Sequence, residues 1–232
     1  MVPVEELFPE MQGRDVTEQV HQLIRSYRTT LQSDRTVLLE RFRFVQLARK
    51  VVGVGSVDTR AWIVLLVGHD DDDPLFLQAK EAEVSVLERF AGKSQFDNQE
   101  RRVVTGQRLM QATSDIFLGW ERMEGYDGVV RDFYIRQLRD WKGSVDVDRM
   151  IPAGMAVYAR LCGWTLARAH ARSGDRIAIA GYLGSGTAFD RSIADFADFA
   201  DFAERYADRN ERDFEALRQA VASGRVEARI GL

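Results

Sequence analysis

The segment Arg60-Ala-Trp-Ile-Val-Leu-Leu-Val67 places seven apolar residues in a row. It is rich in β-branched and aromatic side chains and too short for a typical helix, so it predicts a buried strand. The polar break Gly68-His-Asp-Asp-Asp-Asp-Pro74 stops it, and Leu75-Phe-Leu-Gln-Ala-Lys80 starts another strand. Upstream, Arg49-Lys-Val-Val-Gly-Val-Gly-Ser56 reads as a strand running into a glycine turn. Three strands joined by short connections predict an antiparallel meander.

The chain of 232 residues suffices for one domain or two small ones. Hydrophobic residues at 45% and charged residues at 29% exclude a disordered chain, a collagen and a coiled-coil rod. The net charge of −4 argues against a general nucleic-acid binder. A single cysteine, Cys162, excludes an intramolecular disulfide and suits a reducing compartment. No apolar run reaches the roughly 18 residues of a membrane helix, so no membrane partner is expected. The N-terminus, MVPVEELFPEMQGRD, has acids and prolines where a signal peptide needs basic residues and an apolar core. A cytoplasmic protein is expected. Only Lys50, Lys80, Lys93 and Lys142 are lysines among 32 basic residues, which draws attention to each of them.

Residues 1–15 read as a mobile leader and 16–47 as an N-terminal helical segment. A helix from Val16 carries Val20, Leu23, Ile24, Tyr27 and Leu31 at helical spacing. The stretch Val37 to Leu47 fits a helix or a strand. Residues 48–145 read as a β-rich region. Within it, 81–90 and 98–112 have helical patterns, with Asn98 as a cap for the second. Residues 116–120 and 132–138 look like a strand pair. Residues 146–232 read as helical. Pro152 starts a long helix running to Arg172, with Gly174 at its end. Its small residues Ala156, Ala159, Gly163 and Ala167 would permit close packing. Further on, Ala194-Asp-Phe, Ala197-Asp-Phe and Ala200-Asp-Phe form a triple repeat, read as a duplication in a surface helix.

The strongest local motif is Gly53-Val-Gly-Ser-Val-Asp-Thr-Arg60. A strand follows it, which argues against a dinucleotide fingerprint, and no Gly-Lys-Ser/Thr follows as in a P-loop. A tight hairpin is one reading. The other is the glycine-rich loop that joins two antiparallel strands and covers ATP phosphates in kinase-like folds. On that reading Gly53, Gly55 and Ser56 bring backbone donors to the phosphates. Asp58 stands where a third glycine is expected. Kinase-like folds also carry a lysine on the third strand that pairs phosphates and an acid from the following helix. Lys80 fits that position, with Glu83, Glu88 or Glu100 as its acidic partner. The later order is helix, strand, strand, Gly/Ser break and long helix. That is the order of a kinase small lobe followed by its hinge, and it puts Gln137 and Leu138 at the adenine position. His170 and Asp175 are the weak candidates for a catalytic loop; a capped helix end explains them as well. No Asn follows Asp175 until Asn210, and no His/Cys cluster has metal-site spacing, so no metal ligands are assigned. The cofactor implied by the loop is ATP with Mg.

Several stretches resemble an uncharacterised bacterial family, domain of unknown function 2252. They are Lys50-Val-Val-Gly-Val-Gly-Ser-Val57, Asp73-Pro-Leu-Phe-Leu-Gln-Ala-Lys-Glu-Ala82 and Gly106-Gln-Arg-Leu-Met-Gln111. Others are Ser114-Asp-Ile-Phe-Leu-Gly-Trp120, Phe133-Tyr-Ile-Arg-Gln-Leu-Arg-Asp140, residues 162–175 and Ile179-Ala-Gly-Tyr-Leu-Gly184. The resemblance spans roughly residues 25–215. Longer members carry an upstream half with stretches similar to the catalytic and metal-binding loops of aminoglycoside-phosphotransferase-like kinases. Neither stretch occurs in this chain. The resemblance therefore implies a C-terminal, kinase-like half of α+β class. An antiparallel small lobe of about five strands with helices precedes an α-helical lobe. Such a chain would hold a nucleotide weakly and be nearly inactive alone. The alternative is a non-catalytic interaction module, or half of a split protein, that associates with a separately encoded upstream half or with itself.

Overall fold

The apolar run after Arg60 forms β3 (Ala61–Val67), the central strand of an antiparallel sheet. In this computed structural model the described residues are 2–3, 14–50, 59–124, 128–138, 143–194 and 198–228. They form two units, residues 1–173 and 174–232.

In the first unit, β3 pairs with β2 (Arg43–Arg49) on one side and β4 (Pro74–Ala82) on the other. Next to β4 lies β6 (Val130–Gln137), and β5 (Gly119–Glu124) forms the far edge. A two-residue strand, β1 (Val2–Pro3), pairs with the other edge at Arg49 and Ala48. Every pairing is antiparallel, and the order is β1-β2-β3-β4-β6-β5. The α+β class and the sheet of five full strands stand as expected.

Each face of the sheet carries a helix. The period-2 alternation of strands sends Val64, Leu66, Leu75, Leu77, Ala79, Phe133 and Ile135 to one face. There they pack against α1 (Arg14–Arg28) and the residues after it. Val20, Ile24 and Tyr27 recur at the helical period, and Leu31 and Leu39 continue the cluster. Leu39 closes α2 (Ser33–Leu39). An isolated 15-residue helix is marginal in water, so burial of this stripe holds α1 in place. On the opposite face lies α4 (Gln99–Met110), with Glu100 and Val104 fully buried. A one-turn helix, α3 (Glu88–Ala91), precedes it.

Several boundaries differ from the sequence reading. The stretch Val37–Leu47 is both helix and strand, divided by a turn at Glu40–Arg41. The first long strand ends at Arg49, where the sequence suggested that it begins. A bulge between Phe44 and Gln46 explains this, because it breaks the alternation that would mark residues 43–49 as a strand. The expected helix over 81–90 is replaced by the end of β4 and by α3. Glu81 stays extended because its carboxylate bonds across to the Arg60 N–H at 3.0 Å, and its own N–H donates to Arg60 O at 2.9 Å. Ile116–Leu118 is a turn rather than a strand. Asp115 accepts the Phe117 N–H at 2.8 Å, as an Asx turn does.

The long helix α5 is Pro152–Ser173, as the proline and Gly174 indicated. The Arg172 guanidinium donates to Leu109 O at the end of α4 at 2.8 Å. Ala156, Ala159, Gly163 and Ala167 are exposed, and a Cβ on Gly163 would meet nothing within 4 Å.

The second unit holds α6 (Arg176–Leu183), α7 (Ala188–Ala194) and α8 (Asp198–Ala222). Gly184 ends α6 at φ 65°, a conformation that suits glycine. Of the repeat Phe residues, Phe196 lies outside the described residues. Phe202 is exposed and stacks on Tyr206 with ring centroids 5.8 Å apart.

Candidate functional site

The register of β4 organises the candidate site. Lys80 lies opposite Ala61 on one side and Tyr134 on the other. Ala61 is the first residue of the strand that the Gly53–Arg60 segment enters. Residues 50–60 join β2 to β3, which are adjacent and antiparallel, and the Lys50 N–H still donates to Ala61 O at 2.8 Å. Lys50 and Arg60, the described residues that flank the glycine segment, and Lys80 therefore lie toward one end of the sheet. Gly53, Gly55, Ser56 and Asp58 themselves lie outside the described residues.

Residues paired directly across an antiparallel ladder point to the same face. Lys80, Ala82, Asp132, Tyr134, Trp120 and Arg122 therefore share a face. Helix α4 lies across it. The Gln99 N–H donates to Asp132 at 2.8 Å, and Arg108 stacks over Trp120 at 5.6 Å. The element order thus brings Lys80 and the helix that follows it to one side of the sheet. Lys80 itself is partly buried.

The three acids proposed for Lys80 are in different places. Glu83 is exposed beyond the end of β4, where its carbonyl accepts Arg102 Nη2 at 2.8 Å. Glu88 opens α3 and is partly buried. Glu100 is fully buried and faces Asp132, which is ion-paired to Arg122 at 3.0 Å. Burial and the hydrogen bond to Asp132 push the Glu100 carboxyl up to about 7. Glu81, a residue that the motif comparison passed over, is held between Arg60 and Arg131, each at 3.4 Å. Burial pushes the Tyr134 phenol up as well. Spacing alone does not reveal these contacts, because their partners come from three strands, the residue before β3 and a helix.

Gln137 and Leu138 lie toward the other end of β4. Gln137 pairs with Leu77, about 10 Å along the strand from Lys80 at 3.3 Å per residue. The Gln137 N–H donates to Asp115 at 3.1 Å, and the Leu138 N–H donates to Phe76 O at 2.8 Å. Neither donor is open to an adenine ring. His170 is exposed in the last turn of α5. Asp175 caps α6, accepting the N–H groups of Ile177 and Ala178 at 2.9 and 3.0 Å. That role accounts for Asp175 without any catalytic one.

The acids around Lys80 do not fit a bound Mg ion. Glu81 is committed to two guanidinium groups, and Glu100 is sealed against Asp132 and Arg122. Among the described residues no group of three or more His, Cys, Asp or Glu could hold a metal ion. Among them, too, no helix is long and apolar enough to cross a membrane.

No curated protein and no solved structure matches the chain. A family model does match, and it covers residues 4–220, nearly the whole sequence. The chain therefore belongs to the family described as "Uncharacterized protein conserved in bacteria (DUF2252)".

Proposed function

We propose that this chain is a kinase-like nucleotide-binding lobe whose catalytic and metal-binding groups come from a second polypeptide. The register of Lys80 with Ala61 carries this reading, because it brings the lysine to the end of the sheet that the glycine segment enters. A lysine beside a glycine loop serves the phosphate-positioning half of phosphoryl transfer. The other half needs metal ligands and a group that orients the nucleophile, and the acids beside Lys80 are engaged elsewhere. The exposed helices supply the second support. In the second unit Ile177, Tyr182, Ile193, Tyr206 and Phe214 are each more than half exposed. A surface of that kind suits a partner that covers it.

Calorimetry with ATP tests the nucleotide part. Asp58→Gly removes a like charge from the loop and tightens binding, whereas Lys80→Ala weakens it. If neither substitution changes the affinity, the glycine segment is a hairpin turn and the reading fails. The pure chain shows little or no ATP turnover. Turnover that Lys80→Ala abolishes would overturn the claim that a second polypeptide is required.

A further inference from the structure

We infer that the cleft between the end of α1 and α2 binds a small oxyanion, the phosphate or carboxylate group of a soluble ligand. The cleft has a volume of about 520 Å³ and is lined by Arg25, Arg28, Ser33, Thr36 and Glu40, among others. That size lies within the roughly 300–1,000 Å³ typical of small-molecule sites. It is separate from the Lys80 face and does not depend on the nucleotide reading.

Arg28 makes the assignment. Its Nε is shut off from solvent and has no hydrogen-bond acceptor. Buried donors are almost always satisfied, so an unpaired one on a residue that lines a cleft indicates a missing acceptor. No ion pair joins Arg28 to Glu40, although both line the cleft. A guanidinium presents a planar fork that matches phosphate and carboxylate oxygens in pairs. Arg25 lies one turn back on the same face of α1.

The walls are preformed. The Thr36 hydroxyl donates to Arg28 O at 3.0 Å, tying α2 to the end of α1. The Thr29 hydroxyl donates to Ser26 O at 2.7 Å. Those two hydroxyls are used by the backbone. The Ser33 hydroxyl makes no hydrogen bond among the described residues, so it remains a donor for the ligand.

The test is a titration of the full ¹⁵N-labelled chain with inorganic phosphate and, separately, with acetate, at constant ionic strength. The Arg28 Nε–Hε resonance is followed. A saturable shift is expected with one of the two probes, and the tighter probe names the ligand's acidic group. Arg28→Gln weakens that binding at least tenfold. Arg28→Lys keeps the charge but loses the fork, so it weakens binding while leaving the backbone amide spectrum intact. Arg43→Gln, an exposed arginine paired with Asp71, leaves the affinity unchanged. The inference is overturned if no saturable shift occurs with either probe. It is equally overturned if exposed arginines such as Arg209 shift in parallel, or if Arg28→Lys binds as well as the parent chain.

Discussion

Glu100 at the start of α4 and Asp132 on β6 are two buried carboxyl groups close enough for Asp132 to raise the Glu100 carboxyl, and Arg122 is ion-paired to Asp132 at 3.0 Å. Two ionised carboxylates can only accept, so a hydrogen bond between them requires a proton on one. Burial above all, and that bond, raise the Glu100 carboxyl from 4.5 to about 7.

This pair makes stability depend on pH. The folded chain binds more protons than the unfolded chain between about pH 4.5 and 7. By linkage, stability is full below that window, falls as pH rises through it, and is level above it. The loss is on the order of 3 kcal/mol, at 1.36 kcal/mol per pH unit. Glu100→Gln removes the titration and supplies an amide donor to Asp132. Its urea midpoint is expected to exceed the parent's at pH 8 and to change little between pH 5 and 8. A parent midpoint that does not fall across that range would refute the shared proton.

Asp115 ties two segments together through its two oxygens. One accepts the Phe117 N–H at 2.8 Å and the other the Gln137 N–H at 3.1 Å. Bonds to a charged acceptor each contribute about 1.5–3 kcal/mol. Asp115→Ala is expected to cost about 3 kcal/mol, and Asp115→Asn about half, since the amide keeps one acceptor. Thermal denaturation of the two variants gives the ratio.

The meander was legible because β3 and β4 are apolar runs punctuated by Gly68 and Pro74, and the long helix because Pro152 and Gly174 mark its ends. What escaped depends on contacts between distant segments. The bulge at Phe44–Gln46 hides β2 from any period-2 search. Glu81 is extended because Arg60 and Arg131 hold it, although its local sequence favours a helix. Lys80 stood out by composition, since lysine is rare in this chain. Its neighbour Tyr134 did not, because only the strand register brings them together. Glu100 is one of three acids that the sequence offers as a partner for Lys80, and its burial beside Asp132 is an outcome that helix periodicity cannot reveal.

Gly119 packs tightly against the end of α1 and the residues after it. A Cβ at that position would lie 2.6 Å from both Thr30 Oγ1 and Tyr27 Cε2, and 3.1 Å from Leu31 Cδ2. Tyr27 cannot withdraw easily, because it is 1% exposed and its hydroxyl donates to Phe117 O. Overpacking of this kind costs about 1–3 kcal/mol. Gly119→Ala is expected to destabilise by that amount. Tyr27→Phe leaves the Phe117 carbonyl without its donor and costs a similar 1–3 kcal/mol. Because the two sites touch, the double variant is expected to cost less than the sum, and chemical denaturation of the four proteins in the cycle measures the difference.

Along α8, Phe202, Tyr206, Phe214, Leu217 and Val221 are all exposed. At 3.6 residues per turn they fall within an arc of about 120°, a mainly apolar face that Asn210 and Asp213 interrupt. Acids and arginines such as Asp201, Glu204, Arg209 and Arg212 flank it, so the helix is amphipathic. A stripe of this width in water promotes association. The pure chain is therefore expected to associate as its concentration rises, with a mass by light scattering above 26.4 kDa. The double substitution Phe202→Ser and Phe214→Ser removes two large rings from the stripe while leaving the sheet and both of its helices untouched. It is expected to shift association to at least tenfold higher concentration with unchanged near-UV circular dichroism. A parent chain that stays monomeric across a hundredfold concentration range, or a variant that associates as strongly as the parent, would show that this stripe does not drive assembly.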